Sequence, residues 1–122
     1  MSCVTRSTLK VFKRGSHEEE LSIYNILQKT NSRSFHQGRE HVRTALDIFI
    51  LPRAGGDHTC LVQKPMWDSF RDLLTRNPTH RFTTEMLKSA VPRIFLALDY
   101  LHTECKIVHT GTFLLLYTHT CY

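Results

Sequence analysis

Thr8-Leu9-Lys10-Val11-Phe12-Lys13-Arg14-Gly15-Ser16-His17-Glu18-Glu19-Glu20-Leu21-Ser22-Ile23-Tyr24 is the stretch on which the fold turns. Residues 8–12 are apolar and β-branched around one charge, and Gly15 closes them, so they read as a short strand. Ser16 and Glu19 have the S-x-x-E spacing of a capping box, which opens a helix running to about Lys29. At 100° per residue Leu21, Ile23, Tyr24, Ile26 and Leu27 share one apolar arc. Glu20 falls between Leu27 and Tyr24 on that arc, while Glu18 points the opposite way and Glu19 lies toward the edge. An inward carboxylate demands a cation, and the preceding strand has just supplied Lys10. A buried Lys10–Glu20 pair, joining strand to helix, is therefore expected.

Downstream, Val42–Leu51 and Thr59–Gln63 read as strands joined by the turn Arg53-Ala54-Gly55-Gly56-Asp57, a hairpin that Pro65 ends. Met66–Leu74 reads as a short helix with Asp68 in its first turn and Phe70, Leu73 and Leu74 inward; Asn77-Pro78 breaks it. Residues 84–102 carry Leu87, Val91, Ile94, Phe95, Leu98 and Leu101 at helical spacing. Pro92 interrupts them, so a kinked helix, or one beginning at Pro92, is expected.

The totals bound the answer. The 122 residues suit one domain, and a 41% apolar fraction allows only a small core. The net charge is +5, but the sixteen Lys and Arg residues are scattered, which favours a solvated surface over a phosphate-tracking stripe. Nucleic acid is accordingly not the expected partner, and a small basic RNA-associated domain is the third-ranked reading. No apolar run is long enough to span a bilayer, and Cys3, Cys60, Cys105 and Cys121 form no C-x-x-C pair. Reduced thiols in an intracellular protein, cytoplasmic or nuclear, are the expectation. His102, Cys105, His109, His119 and Cys121 do not fix a zinc geometry, so no metal site is expected. Asp99 reads as structural or solvated, and Trp67 and Phe70 as packing residues.

The order strand, helix, hairpin, short helix, long helix, then Ile107-Val108-His109-Thr110, resembles a eukaryotic protein kinase from its third strand to its catalytic loop. The wording is most similar to the SR-protein kinases, particularly their divergent fungal branch. It is carried by Leu9–Phe12, Glu20–Tyr24, His41–Thr44, Cys60–Val62, Met66–Ser69, Arg76–Pro78 and, most strongly, Phe95–Cys105. The resemblance implies an α+β class: part of a kinase fold, with an incomplete antiparallel N-lobe sheet and its helix over 8–63. A hinge over 64–67, the start of the helical lobe over 68–110 and an unrelated tail over 111–122 would follow.

Matched residue by residue, the resemblance makes Lys10 the lysine that contacts ATP phosphates and Glu20 the helix glutamate that holds it. Gln63 stands at the gatekeeper position behind adenine. Lys64 and Met66 flank Pro65 in the hinge, where backbone groups bind the adenine edge; Pro65 has no N–H, so Met66 is the expected donor. His109 is a structural residue of the catalytic loop. Gly111 stands where the resemblance calls for the catalytic aspartate, and it cannot accept a hydroxyl's proton. The nine residues before Lys10 contain no glycine, and residues 106–122 contain no carboxylate to hold Mg²⁺. The resemblance thus implies a serine/threonine kinase using ATP and Mg²⁺ on Arg/Ser-rich proteins, in a fragment without phosphotransfer of its own. A pseudokinase-like module that binds another kinase or a substrate is the second reading. The break in family wording after Thr110 suggests a read-through or gene-model artefact. An open sheet edge and an uncovered helix face would favour self-association.

Overall fold

A computed structural model of the chain describes residues 6–15, 18–66 and 68–108. They form an α+β arrangement of three antiparallel strands, three α-helices and one 3-10 turn. The Ser16–Glu19 capping box, Trp67, His109, Gly111 and the tail over 111–122 lie outside the described residues. The described residues divide into two compact units: those of 6–33 with 43–65, and those of 34–42 with 66–108. Segment 34–42, which the sequence reading grouped with the sheet, packs with the second unit.

In the first unit β1 (Thr8–Val11), β2 (Asp47–Leu51) and β3 (His58–Gln63) are ordered β1-β3-β2. Lys10 lies opposite Leu61 and Ile48 opposite the same Leu61. Opposed residues share a face and alternate residues return to it. Lys10, Leu61, Gln63 and Ile48 therefore look the same way, toward α1 (Glu18–Asn31). Phe12, just past β1, continues that row, its N–H donating to the Thr59 carbonyl at 2.9 Å. Phe12, Ala45 and Leu61 are buried, and Leu21, Tyr24 and Ile48 pack on them. The helix thus settles on Leu21, Tyr24 and the buried Leu27. Ile23 and Ile26, expected inward, are exposed. They flank the arc on the side away from Tyr24, where the three-stranded sheet does not reach.

The hairpin turn is closed by the Gly56 N–H on the Arg53 carbonyl at 2.8 Å. Gly56 has φ +114°, a conformation only glycine adopts without strain. β2 begins at Asp47 rather than at Val42. The Val42 N–H is taken by the Arg39 carbonyl, which ends the 3-10 turn Gln37–His41. Arg43 donates to the Lys64 carbonyl at 2.9 Å, and ladder bonding resumes only at Leu46, which donates to Val62.

In the second unit α2 (Phe70–Arg76) starts later than Met66, because Ser69 and Asp72 form a reciprocal capping box. The Asp72 N–H donates to Ser69 Oγ at 3.1 Å and the Ser69 N–H to Asp72 Oδ2 at 3.2 Å. Asp68 accordingly precedes the helix instead of lying in its first turn, and Arg76 grips it through two 2.8 Å bonds. Phe70, Leu73 and Leu74 are half-buried, and Phe70 meets Phe82 edge-on at 5.4 Å. α3 (Thr84–Thr103) runs unbroken through Pro92, so it does not begin there. Thr83 caps it, accepting from the Met86 N–H at 3.2 Å, and this end stabilisation helps offset the bond that Pro92 cannot make.

The 3-10 turn docks on α3 through Gly38. A Cβ at this position would collide with the Leu96 carbonyl and the Tyr100 side chain. Gly38→Ala should therefore destabilise the second unit by about 1–3 kcal/mol through overpacking, read as a lower urea midpoint. The Ser69 hydroxyl first, and its backbone N–H second, hold the Asp72 carboxyl below its ordinary value of 3.8. A depressed carboxyl contributes stability above the unfolded-state pKa, and that contribution disappears as pH falls through the lower folded value. Asp72→Asn should flatten the acid limb of the stability profile below about pH 4, measured by urea melts across pH.

Candidate nucleotide-phosphate site

Lys10 and Glu20 meet as their positions require. Lys10 Nζ lies 2.7 Å from Glu20 Oε1 and 2.9 Å from Oε2. The same ammonium stands 4.7 Å from the Phe12 ring centroid, a cation–π placement. The inward direction of Glu20 is as expected, but the burial is not. The Lys10 and Glu20 side chains retain 50% and 39% of their exposure. β1 is an edge strand whose four residues are all exposed, and Glu20 belongs to the first turn of α1. Water therefore screens the pair, and its expected contribution is about 1 kcal/mol or less. An ammonium has three donors, of which Glu20 takes two, so the third is available to an incoming anionic oxygen.

One turn further along α1, Tyr24 reaches the sheet. Gln63 is buried at the end of β3, and its Nε2 donates to Tyr24 Oη at 2.8 Å. Gln63 thus hydrogen-bonds the helix. Lys64 is exposed and its carbonyl already accepts from Arg43; a carbonyl's second lone pair remains. Met66 is half-buried and belongs to the second unit. Lys10, Glu20 and Gln63 are thus brought to one face of one unit.

Tyr24–Gln63 and His36–Asp99 are among the polar contacts that the sequence reading does not contain. Tyr24–Gln63 had a local signal, because Tyr24 is four residues after Glu20 and shares its face. His36–Asp99 had none, since 63 positions separate the partners. His36 Nδ1 accepts the Gly38 N–H at 3.0 Å, which assigns the proton to Nε2, and Nε2 lies 3.0 Å from Asp99 Oδ2. The imidazole packs against the Tyr100 ring at 5.7 Å. Burial, aided by the Cys105 thiol, pushes the Tyr100 phenol above its usual range. Asp99 is thus exposed and structural, anchoring segment 34–42 to α3.

A double-mutant cycle with Lys10→Met and Glu20→Gln, read by urea denaturation, should give a coupling of about 1 kcal/mol or less that shrinks in about 1 M salt. A coupling several times larger and insensitive to salt would show that the pair is dry.

No protein-family model matches the chain. Individual relatives do. Protein kinase dsk1 of Schizosaccharomyces pombe is 32% identical over 108 residues, covering 86% of this chain and 20% of that protein. The serine/threonine-protein kinase SRPK of Physarum polycephalum is 32% identical over 103 residues, covering 84% of the chain and 24% of its own length. Human SRSF protein kinase 3 is 30% identical over 105 residues, covering 84% and 18%. The chain spans between a fifth and a quarter of the first two relatives' length and somewhat less of the third. Sequence likeness over most of the chain, together with its α+β strand–helix–hairpin order, makes it a member of the SR-protein kinase-like group of eukaryotic protein kinases, represented by part of the domain.

Proposed function

We propose that this chain carries the phosphate-side machinery of an ATP-dependent serine/threonine kinase. Lys10 would donate to nucleotide phosphate oxygens, and Glu20 would hold its ammonium in line. Lys64, through its remaining carbonyl lone pair, and Met66, through its backbone N–H, would take the adenine edge, with Gln63 behind. The observation that carries this reading is the two-oxygen grip of Glu20 on Lys10 across a strand and a helix. A positioned cation with one uncommitted donor is what phosphoryl-group binding requires.

Mg²⁺, brought on the nucleotide, supplies charge neutralisation between phosphates in such enzymes. Among the described residues no group of three or more His, Cys, Asp or Glu side chains makes a cage for it. Glu20 is committed to Lys10, and residues 106–122 offer no carboxylate. Gly111 likewise offers no group to take the proton of a substrate hydroxyl. The proposed role of the chain by itself is nucleotide binding without phosphoryl transfer, while the acceptor of the whole kinase would be the Arg/Ser-rich protein that the family resemblance implies.

A second reading, a non-catalytic module that docks on another kinase or substrate, draws on one observation. Leu87, Val91 and Phe95 recur every fourth residue along α3 and are all exposed, Phe95 by 67%.

Titration calorimetry of the full chain with Mg-ATP separates the two. Nucleotide binding that weakens by about tenfold or more in Lys10→Met supports the first reading, since a charged hydrogen bond is worth about 1.5–3 kcal/mol. Absence of binding to the wild-type chain would overturn it and favour the docking module. Neither protein should transfer labelled γ-phosphate to an Arg/Ser-rich peptide.

A further inference from the structure

We infer that β1 is an adhesive edge, on which a second copy of this chain adds its own β1 antiparallel, with the two-fold axis passing through Leu9. The inference does not rest on the nucleotide site.

The ladder determines which backbone groups are open. The Phe12 N–H donates to the Thr59 carbonyl at 2.9 Å, and the register that sets Thr8 against Gln63 and Lys10 against Leu61 sets Phe12 directly opposite Thr59. Phe12–Thr59 is thus a hydrogen-bonded pair, and such pairs alternate along an antiparallel ladder. Lys10 and Thr8 therefore bond to β3, whereas the N–H and C=O groups of Leu9 and Val11 point out of the sheet. Among the described residues β1 has β3 as its one neighbour, and no group takes up the Leu9 or Val11 N–H.

The opposite edge is blunted. Leu61 directs its N–H and C=O to β1, so Cys60 and Val62 serve β2 through Phe49 and Asp47, which leaves Ile48 and Ile50 outward. The Ile48 N–H, however, donates to Asp47 Oδ1 at 2.9 Å, and Pro52, with no N–H, follows the strand.

Charge selects the occupant of β1. Lys10 is the strand's one charged residue and Glu20 already holds it, so the edge presents no uncompensated cation that calls for an acidic partner. A copy of β1 fits in one two-fold register. About Leu9, Leu9 opposes Leu9, Thr8 opposes Lys10 of the second copy, and Ser7 opposes its Val11. An axis at Lys10 would instead set two lysines directly opposite, with Cα atoms about 4.5 Å apart. An axis at Val11 would oppose Leu9 to a second charged residue, Lys13. Leu9 and Val11, each about half exposed on the face away from α1, then form one apolar stripe across both copies. So short a strand covers less than the roughly 1,200–2,000 Å² of a stable interface, and dissociation is expected at about 100 µM.

Sedimentation velocity of the full chain from about 5 to 500 µM tests the assignment, and the wild-type chain should pass from monomer to dimer across that range. Leu9→Pro removes an outward N–H from each copy and leaves the β1–β3 ladder intact, so it should weaken the dimer about tenfold or more. Phe95→Ser, on the exposed stripe of α3, should leave the dimer unchanged. Leu9→Cys carries the comparison if the proline variant loses its circular dichroism. Mild oxidation should join position 9 to position 9, mapped on tryptic peptides by mass spectrometry, because directly opposed bonded residues have Cα atoms about 5.5 Å apart. Val11→Cys should not join to itself, its two copies lying about 14 Å apart along the ladder. A chain that stays monomeric, a dimer indifferent to a folded Leu9→Pro or lost in Phe95→Ser, or self-linkage of Val11→Cys as fast as that of Leu9→Cys would each overturn the assignment.

Discussion

The pairing register of β1 against β3 governs the first unit. Lys10 faces α1 only because it lies opposite Leu61, a fully buried position on the middle strand. A slip by one residue would exchange faces, placing Leu9 and Val11 toward the helix and Lys10 on the opposite surface. The cost would fall on the whole row, since Phe12 shares the face of Lys10 and supplies the buried cluster. Burial of Phe12 and Leu61 thus fixes which way a charged residue points two positions away. The chemistry of the candidate site is a by-product of hydrophobic register, and so α1 can present Glu20 to it without either charge being dry.

This explains what could be read from the chain before its structure. The direction of Glu20 followed from helical periodicity alone, and Lys10 from its intrusion into an apolar run. Neither argument contained the extent of the sheet. With three strands and β1 at an edge, the pair forms in partial contact with water. Ile23 and Ile26 are exposed although they lie on the apolar arc. The start of α2 was misplaced because apolar content begins at Met66, whereas the capping geometry of Ser69 and Asp72 decides where helical hydrogen bonding begins. Of the two expectations for Pro92, a helix beginning there does not hold, since one lost bond does not end a twenty-residue helix capped at Thr83. Contacts such as His36–Asp99 and Gly38–Leu96 depend on a loop returning to a distant helix, for which local patterns hold no information.

Each unit also leaves apolar surface uncovered. On the sheet face away from α1, Leu9, Val11 and Phe49 are exposed; on α3, Leu87, Val91 and Phe95 are. Burial contributes roughly 25 cal/mol per Å² of apolar surface removed from water, so these residues return little of what ordering them costs. What they lose is made up by specific polar closures: the capping box of α2, the Thr83 cap of α3, and the imidazole that joins Gly38 to Asp99. The His36 closure demands one tautomer, since a proton on Nδ1 would confront the Gly38 N–H that it now accepts.

The two attachments of α1 divide labour along the same line. An exposed ion pair between long side chains is weak, adjustable and open to competition, which suits a cation that must also greet phosphate oxygens. If the lysine were wholly neutralised in a dry pocket, its ammonium would have little left for a ligand. One turn away the buried Gln63 bonds the hydroxyl of the half-buried Tyr24. A hydrophobic pair in place of Tyr24 and Gln63 could bury as much area, yet it would tolerate sliding of the helix along its axis. A hydroxyl bonded to a buried amide does not, because displacement by a fraction of a turn breaks the bond without offering another partner. The exposed pair at Lys10 is thus accompanied, one turn along, by apolar packing of Tyr24 and its bond to Gln63.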